Sequence, residues 1–138
     1  MNAAELMTED PRVIQLDAPV YDAVEMLQTL EVRHLPVVNE AGELVGMLSD
    51  RDLRALMLPS SLLGAEAVGS ILARAAAPVS TIMSSDAVTV DPEDDVRDVI
   101  DRMLEHNIGA VPVVDADHTL VGIISYVDVL RRLAPAAS

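Results

Sequence analysis

The sequence predicts a mixed α/β (α+β) fold in which one small β-α-β-β-α unit occurs twice in tandem. Identical residues recur at a constant offset: Pro36 and Pro112 lie 76 positions apart, and other pairs keep that spacing. Helical and strand-like apolar patterns also follow one another in the same order in both copies. One copy of about 60 residues is marginal for burying such a sheet, so the two copies are expected to share a core. The other pairs are Met7 and Met83, Gly46 and Gly122, Ser49 and Ser125, and Asp52 and Asp128.

Each copy opens with a short extended segment and continues into an amphipathic helix. Residues 13–16 and 88–90 are the extended segments. Apolar side chains then recur every three or four positions within residues 20–30 and 96–104, which is the spacing of one buried helix face.

A run of acidic residues precedes the helix of the second copy. Asp91 followed by Pro92 predicts an N-cap with proline in the first turn. The run Glu93-Asp94-Asp95 is then expected to fall in that first turn, where the helix dipole favours negative charge.

Two strands and a second helix complete each copy. The strands are continuous apolar runs, which predicts that both of their faces are covered. The second helix is expected to begin near Ser49 in the first copy and near Ser125 in the second. The predicted strands are 35–38, 44–48, 111–114 and 120–124, with turns at 39–42 and 115–118.

A segment rich in alanine and leucine joins the two copies. Residues 65–77 predict a helix, and Pro59-Ser60-Ser61 predicts a bend before it. The expected organisation is a first motif at 1–58, a connecting helical segment at 59–78, a second motif at 79–134 and a tail at 135–138.

The charge of the chain argues against several classes of partner. The net charge is −14 over 138 residues, which disfavours nucleic acid as a primary partner and an anionic membrane surface. All nine cationic side chains are arginine. That choice fits either a compositional bias or a few guanidinium groups that hold phosphate or carboxylate.

The remaining composition describes the expected core and cellular compartment. The chain has no cysteine, no apolar run long enough to span a membrane and no signal-peptide pattern at its start, so a cytoplasmic protein is expected. Phe and Trp are absent, and Tyr21 and Tyr126 are the two aromatic residues. A flat ligand would therefore be held by aliphatic side chains rather than by aromatic stacking.

The doubled pattern resembles the cystathionine-β-synthase (CBS) domain pair, also called a Bateman module. The resemblance runs from about Leu6 to Leu133 and rests on three motifs that recur in register. They are an apolar residue followed three positions later by Pro-Val-Val, then Leu-Val-Gly-apolar-apolar-Ser, then Ser-x-x-Asp at the start of the last helix. The resemblance implies two motifs related by pseudo-two-fold symmetry, two clefts between them that bind adenosine compounds, and homodimers.

The Ser-x-x-Asp motifs carry the chemistry that the resemblance implies. Asp52 and Asp128 would accept the hydroxyl groups of a ribose, and Ser49 and Ser125 would donate to ribose or phosphate. From spacing alone, the alternative is that each serine is an N-cap and each aspartate meets the helix dipole. Both roles are compatible in one residue.

Arginine residues distinguish the first copy from the second. Arg51 and Arg33 match phosphate-contacting positions of the family, whereas their counterparts are Val127 and Gly109. The resemblance implies that Arg51 serves the nucleotide whose ribose lies on Asp128, so that cleft would bind phosphorylated nucleotide better. The alternative is that Arg51 pairs with Asp50 or another acid at the surface.

The other candidates are a possible phosphate contact and apolar residues around the adenine. His34 follows Arg33 and is a possible phosphate contact, although a lone histidine is more often packed or at the surface. The three histidines have no metal-ligand spacing, so no metal site is expected. By family analogy the adenine pocket of the Asp128 cleft would use Val13, Ile14, Val32, Pro36 and Ile123, and that of the Asp52 cleft would use Val88, Ile108, Pro112 and Met47.

The predicted function is a stand-alone regulatory module without catalytic activity. Its regulatory ligand would be AMP, ADP, ATP, NAD or S-adenosylmethionine, and its output would pass to a separate effector protein. The alternative is a dimerisation scaffold with no physiological ligand. No nucleophile–base arrangement and no phosphate-binding glycine loop supports an enzyme.

Overall fold

The computed structural model describes residues 1–55 and 65–134. They form two compact units, each with a three-stranded sheet and its own helices. Unit 1 comprises Met1–Pro11, Ala41–Leu44 and Asp86–Ser138, and unit 2 comprises Arg12–Glu40 and Val45–Ser85. The predicted bend at Pro59-Ser60-Ser61 and the predicted tail lie outside the described residues. No helix within the described residues is both long and apolar enough to cross a membrane.

Unit 2 contains the sheet of the first motif. Its strands are β2 (Ile14–Gln15), β3 (His34–Val38) and β4 (Leu44–Ser49), in the order β2-β3-β4. Strand β2 runs parallel to β3, with Ile14 opposite Val37. The helices are α2 (Val20–Leu30), α3 (Asp50–Ala55) and α4 (Ala65–Ala76), the last of which confirms the predicted connecting helix.

Unit 1 contains the sheet of the second motif together with the start of the chain. It has α1 (Ala3–Leu6), β1 (Thr8–Glu9), α5 (Val96–His106), β5 (Ala110–Val114), β6 (Leu120–Ser125) and α6 (Tyr126–Leu133). The strand order is β1-β6-β5, and β1 and β5 are both antiparallel to β6. The predicted extended segment at 88–90 contributes a single parallel bridge, from Val90 to Val113.

Most of the buried apolar residues belong to two clusters, one in each unit. In unit 2, Leu35, Val37 and Leu48 lie at the centre of the cluster, and in unit 1 Val111 and Ile124 do so. All five side chains are fully buried. The predicted β-α-β-β-α order is confirmed in the first motif, whereas in the second motif the opening strand is reduced to the bridge at Val90.

The alternation of burial along the second strands differs from the prediction. In β4, Leu44, Gly46 and Leu48 are buried, whereas the residues between them are half-buried. Strand β6 shows the same alternation at its end, while β5 is buried throughout. The expectation of two covered faces therefore holds for β5 but is wrong for β4 and β6, in which half-buried residues alternate with buried ones.

The predicted N-cap of α5 is wrong. Asp95, not Asp91, is the N-cap, and its side chain accepts a hydrogen bond from the Arg97 amide (3.1 Å). Asp91 instead starts a turn, in which its Oδ1 accepts from the Glu93 amide (2.8 Å) and its amide donates to Oδ2 of Asp94 (2.8 Å). Aspartate followed by proline suits such a turn as well as a helix start, so the acidic run precedes the helix.

The repeated methionine–glycine pairs have a structural explanation that the sequence did not reveal. A side chain at Gly46 would collide with Met83, and one at Gly122 would collide with Met7. Glycine thus lets a methionine from a preceding or following segment cross directly over each second strand. In unit 2 this crossing is fixed by two backbone hydrogen bonds between Met47 and Ser84 (3.0 and 2.8 Å).

Candidate functional site

Ser49 and Asp52 lie where β4 passes into α3 in unit 2. The amide of Asp52 donates to Oγ of Ser49 (3.1 Å), and the amide of Ser49 donates to Oδ2 of Asp52 (2.8 Å). These reciprocal bonds satisfy backbone donors at the helix start. We call this residue pair and its surroundings the unit 2 junction.

Ser125 and Asp128 form the same arrangement at the unit 1 junction, where β6 passes into α6. Oδ2 of Asp128 accepts from the amide of Ser125 (2.8 Å) and from its Oγ (3.0 Å), and Oγ of Ser125 accepts from the amide of Asp128 (3.3 Å). The capping alternative is therefore confirmed for both motifs.

Capping uses only part of each carboxylate. The bonds to Ser49 and Ser125 all involve Oδ2, and within residues 1–55 and 65–134 no hydrogen bond is made by Oδ1 of Asp52 or of Asp128. Both aspartates are half-buried. Each therefore presents one ionised oxygen acceptor whose position is fixed by the cap, an arrangement suited to accepting hydroxyl hydrogens.

The residue before β3 or β5 is held against each junction by an equivalent backbone bond. The amide of Asp50 donates to the carbonyl of Arg33, and the amide of Tyr126 donates to the carbonyl of Gly109, both at 2.9 Å. Arg33 and Gly109 thus occupy the same place in their units. Arg33 therefore places an exposed guanidinium group next to the unit 2 junction, whereas Gly109 has no side chain to place next to the unit 1 junction.

His34 is half-buried beside the unit 2 junction. Burial lowers the pKa of its imidazole, and the nearby charge of Arg33 lowers it further, while Asp52 opposes the shift. The neutral imidazole is thus favoured at neutral pH, when its nitrogens can accept as well as donate. Its predicted contact with phosphate stays a prediction.

The surroundings of Arg51 bear on the alternative that it pairs with Asp50. Asp50 is already bound by Arg54, whose Nη2 and Nε lie 2.6 and 3.1 Å from Oδ2 of the aspartate. Arg51 is exposed, and the part of the chain that the structure describes offers it no ion pair. Its guanidinium group is thus available to an anion.

The apolar candidates have very different exposures. Ile14 belongs to the core cluster of unit 2, and Pro36 and Pro112 are fully buried within their strands. Val32, which precedes strand β3, is exposed. Val13, Met47, Val88, Ile108 and Ile123 are half-buried. The assignment of these residues to two adenine pockets stays a prediction.

Among the described residues no group of three or more His, Cys, Asp and Glu side chains is arranged to hold a metal ion.

A groove of roughly 720 Å³ lies in unit 2, lined mainly by α2, α3 and residues 31–33, and the sequence analysis did not predict it. The signal for it was the position of Tyr21 and Val24, one turn apart on α2, where both are exposed.

Comparison with protein families gives two matches within this chain. The model described as the CBS domain matches residues 3–59 and again residues 79–135. A CBS domain-containing protein of Dictyostelium discoideum is 31% identical over 129 residues, which cover 94% of this chain and 88% of that protein. Homoserine O-acetyltransferase of Methanococcoides burtonii is 32% identical over 133 residues, which cover 96% of this chain and 24% of the enzyme.

The matched region is a small part of several relatives. The chain spans between 22% and 24% of the length of two homoserine O-acetyltransferases and of an inosine-5'-monophosphate dehydrogenase of Methanocaldococcus jannaschii.

Solved structures share the fold. CBSX2, a CBS-pair protein from Arabidopsis thaliana, was solved in complex with AMP and is 30% identical, with a TM-score of 0.81 over 95% of this chain and 94% of that one. The CBS domain pair of protein MJ0100, in complex with 5'-methylthioadenosine and S-adenosyl-L-methionine, is 25% identical, with a TM-score of 0.78 over 96% and 94% of the two chains.

Proposed function

Because the chain belongs to the CBS domain family, we propose that it is a regulatory module that binds an adenosine-containing ligand and signals to a separate protein. The observation that carries the proposal is the unused Oδ1 of Asp52 and Asp128, each held in place by a serine cap. The neighbours solved with AMP and with S-adenosyl-L-methionine share one chemical feature, the adenosine group, and its ribose hydroxyls are suitable donors to such an oxygen.

The proposed division of roles follows the chemistry of each side chain. Asp52 and Asp128 accept from ribose, and Arg51 and Arg33 bind phosphate. Aliphatic residues enclose the adenine. The ligand is one of AMP, ADP, ATP, NAD and S-adenosylmethionine, and binding shifts a conformational equilibrium that the effector protein detects.

The proposed module is not itself an enzyme. The relatives that bear enzyme names match it over about a quarter of their length, and the fold is the one that CBS-pair neighbours share. We also propose that it forms a homodimer. A cytoplasmic location stays a prediction.

A second candidate function is a dimerisation scaffold without a ligand. It is favoured by the exposure of large apolar side chains on the helices of unit 1, where Leu104 is 74% and Leu130 is 62% exposed. Apolar patches of this kind commonly mark association surfaces. A scaffold and a ligand sensor differ in their response to adenosine compounds.

A thermal-shift screen of the five proposed ligands tests the function. A ligand that binds the folded state alone raises the melting temperature in step with its concentration. At 100 times its dissociation constant, such a ligand adds about 2.7 kcal/mol to the free energy of unfolding. We expect such a rise with at least one of the five. A flat response to all five would favour the scaffold.

Arg51 is expected to select for phosphate. Arg51→Ala removes a charge-assisted contact worth about 1.5–3 kcal/mol, so the affinity for AMP should fall about tenfold or more while that for adenosine is unchanged. Arg54→Ala is the matched control, because Arg54 is three positions away but is bound to Asp50. Calorimetric titration measures both variants, and equal AMP affinity in Arg51→Ala and the unmodified protein would refute the role.

A further inference from the structure

In each motif one pair of residues faces across the two central strands directly before the junction. In unit 1 that pair is Ala110 and Ser125, which are partners in the ladder of β5 and β6. The backbone bond that follows this pair has an equivalent in unit 2 with the same length, 2.9 Å. The corresponding pair in unit 2 is therefore His34 and Ser49, whose side chains lie on the same face of the sheet with their Cβ atoms about 4.5–5.5 Å apart.

The carboxylate of Asp52 belongs to the same group of side chains. Its Oδ2 accepts from the amide of Ser49, the residue that faces His34, and its Oδ1 is the oxygen that the cap leaves unused. A protonated imidazole donates from both ring nitrogens, and its hydrogen bond to an ionised carboxylate is about twice as strong as one between neutral groups. The unused oxygen thus lies beside a side chain that becomes a cationic donor on acidification.

The charges around His34 act in opposite directions. Burial lowers the pKa of its imidazole below 6.5, Asp52 on α3 raises it, and Arg33 on the same strand segment lowers it. The other carboxylate at the start of α3, that of Asp50, is bound by Arg54. The imidazole is therefore neutral at neutral pH and gains its charge below pH 6.5, with Asp52 as the carboxylate that attracts it.

The second motif has the same cap but a different residue across the strands. Ala110 occupies the place of His34, 76 residues later, and it is buried. Asp128 keeps the same unused Oδ1 as Asp52. The unit 1 junction thus offers the same acceptor to a ligand, with a methyl group where the unit 2 junction has a titratable side chain.

We propose that protonated His34 binds the free Oδ1 of Asp52 and so closes the unit 2 junction to the ribose of an adenosine ligand. The inference rests on the proposed function and adds control by protons to one of the two junctions. A ribose hydroxyl and the imidazolium compete for one oxygen, so a bound ligand favours the neutral imidazole. Affinity at the unit 2 junction therefore falls on acidification, whereas affinity at the unit 1 junction does not.

NMR titration of the ligand-free chain tests the contact between His34 and Asp52. The imidazole signal of His34, assigned by its loss in His34→Ala, reports the pKa of that side chain. Asp52→Asn should lower the pKa of His34, because it removes the charge that attracts the imidazolium. Asp128→Asn is the matched control at the other junction and should leave the titration unchanged. An unchanged pKa of His34 in Asp52→Asn would overturn the contact.

Calorimetric titration with adenosine tests the consequence for binding, because adenosine carries no phosphate that could titrate or attract the imidazolium. In Asp128→Asn only the unit 2 junction keeps its carboxylate, and the affinity should fall about threefold to tenfold between pH 7.5 and pH 5.5. Adding His34→Ala, which copies the residue of the second motif, should abolish that fall. Asp52→Asn, which keeps only the unit 1 junction, should bind equally at both pH values. Circular dichroism at pH 5.5 shows whether each variant is folded.

The outcomes separate this inference from the proposed function. Adenosine binding that is independent of pH in Asp128→Asn, or that falls equally with and without His34, would refute the control by protons and leave ligand sensing intact. No binding of adenosine to the unmodified chain at pH 7.5 would refute the proposed role of the ribose, and the inference with it.

Discussion

Replacing Gly46 with alanine is expected to lower the free energy of unfolding by about 3 kcal/mol, the upper end for overpacking a core. A Cβ at this position would lie 2.9 Å from the carbonyl oxygen of Ser84 and 2.6 Å from Sδ of Met83. The methionine side chain can move, but the backbone of Ser84 is held by its two hydrogen bonds to Met47. Urea denaturation followed by circular dichroism measures the loss.

Two other glycines provide controls. The three atoms nearest to a Cβ at Gly122 all belong to the side chain of Met7, so Gly122→Ala should cost less, about 1–2 kcal/mol. A Cβ at Gly69, within α4, would meet nothing within 4 Å, and Gly69→Ala should add about 0.5–1 kcal/mol through helix propensity. Equal losses at Gly46 and Gly122 would show that the Ser84 backbone is not the rigid obstacle.

Replacing Asp52 and Asp128 with asparagine is expected to weaken binding of the adenosine ligand by about 10- to 100-fold for each site that is occupied. A hydrogen bond to a charged acceptor contributes about 1.5–3 kcal/mol, and in asparagine an NH2 group, which donates and does not accept, replaces the free carboxylate oxygen. The amide oxygen still accepts from the backbone of Ser49 or Ser125, so the cap is retained and stability should change by about 1 kcal/mol or less. Calorimetric titration of the single and double variants gives the affinities.

Asp95→Asn is the matched control for the loss of a capping carboxylate. Asp95 accepts a hydrogen bond from a backbone amide at the start of α5 through Oδ2, as the junction aspartates do at the starts of their helices, but it lies at neither junction. Its replacement should leave the ligand affinity unchanged. If the double variant of Asp52 and Asp128 bound the ligand as well as the unmodified chain, the two carboxylates would be caps and nothing more.

Much of the fold could be predicted because the repeat made every pattern visible twice. The helices at 20–30 and 96–104 and the strands on either side of each turn followed from apolar periodicity alone. The helix start at Asp91 failed because aspartate-proline specifies a turn as readily as an N-cap, and the choice depends on local bonds among Asp91, Glu93 and Asp94.

Features that depend on long-range contacts could not be predicted. Nothing local in the sequence shows that Met83 crosses Gly46, or that β1 joins β6 from more than a hundred residues away. At the site, the Ser-x-x-Asp spacing predicted the cap correctly, whereas the engagement of Asp50 by Arg54 rather than Arg51 depends on side-chain geometry along one helix face. Ligand choice depends on contacts that no single motif specifies.

Native mass spectrometry of the purified chain with AMP, ADP, ATP, NAD and S-adenosylmethionine, each added in turn, tests the central claim most directly. The account predicts an added mass equal to one or two molecules of at least one of these compounds per chain. The same peaks should be lost in the double asparagine variant of Asp52 and Asp128. Unmodified mass with every compound, in a chain whose melting curve shows that it is folded, would contradict the claim that this module senses an adenosine ligand.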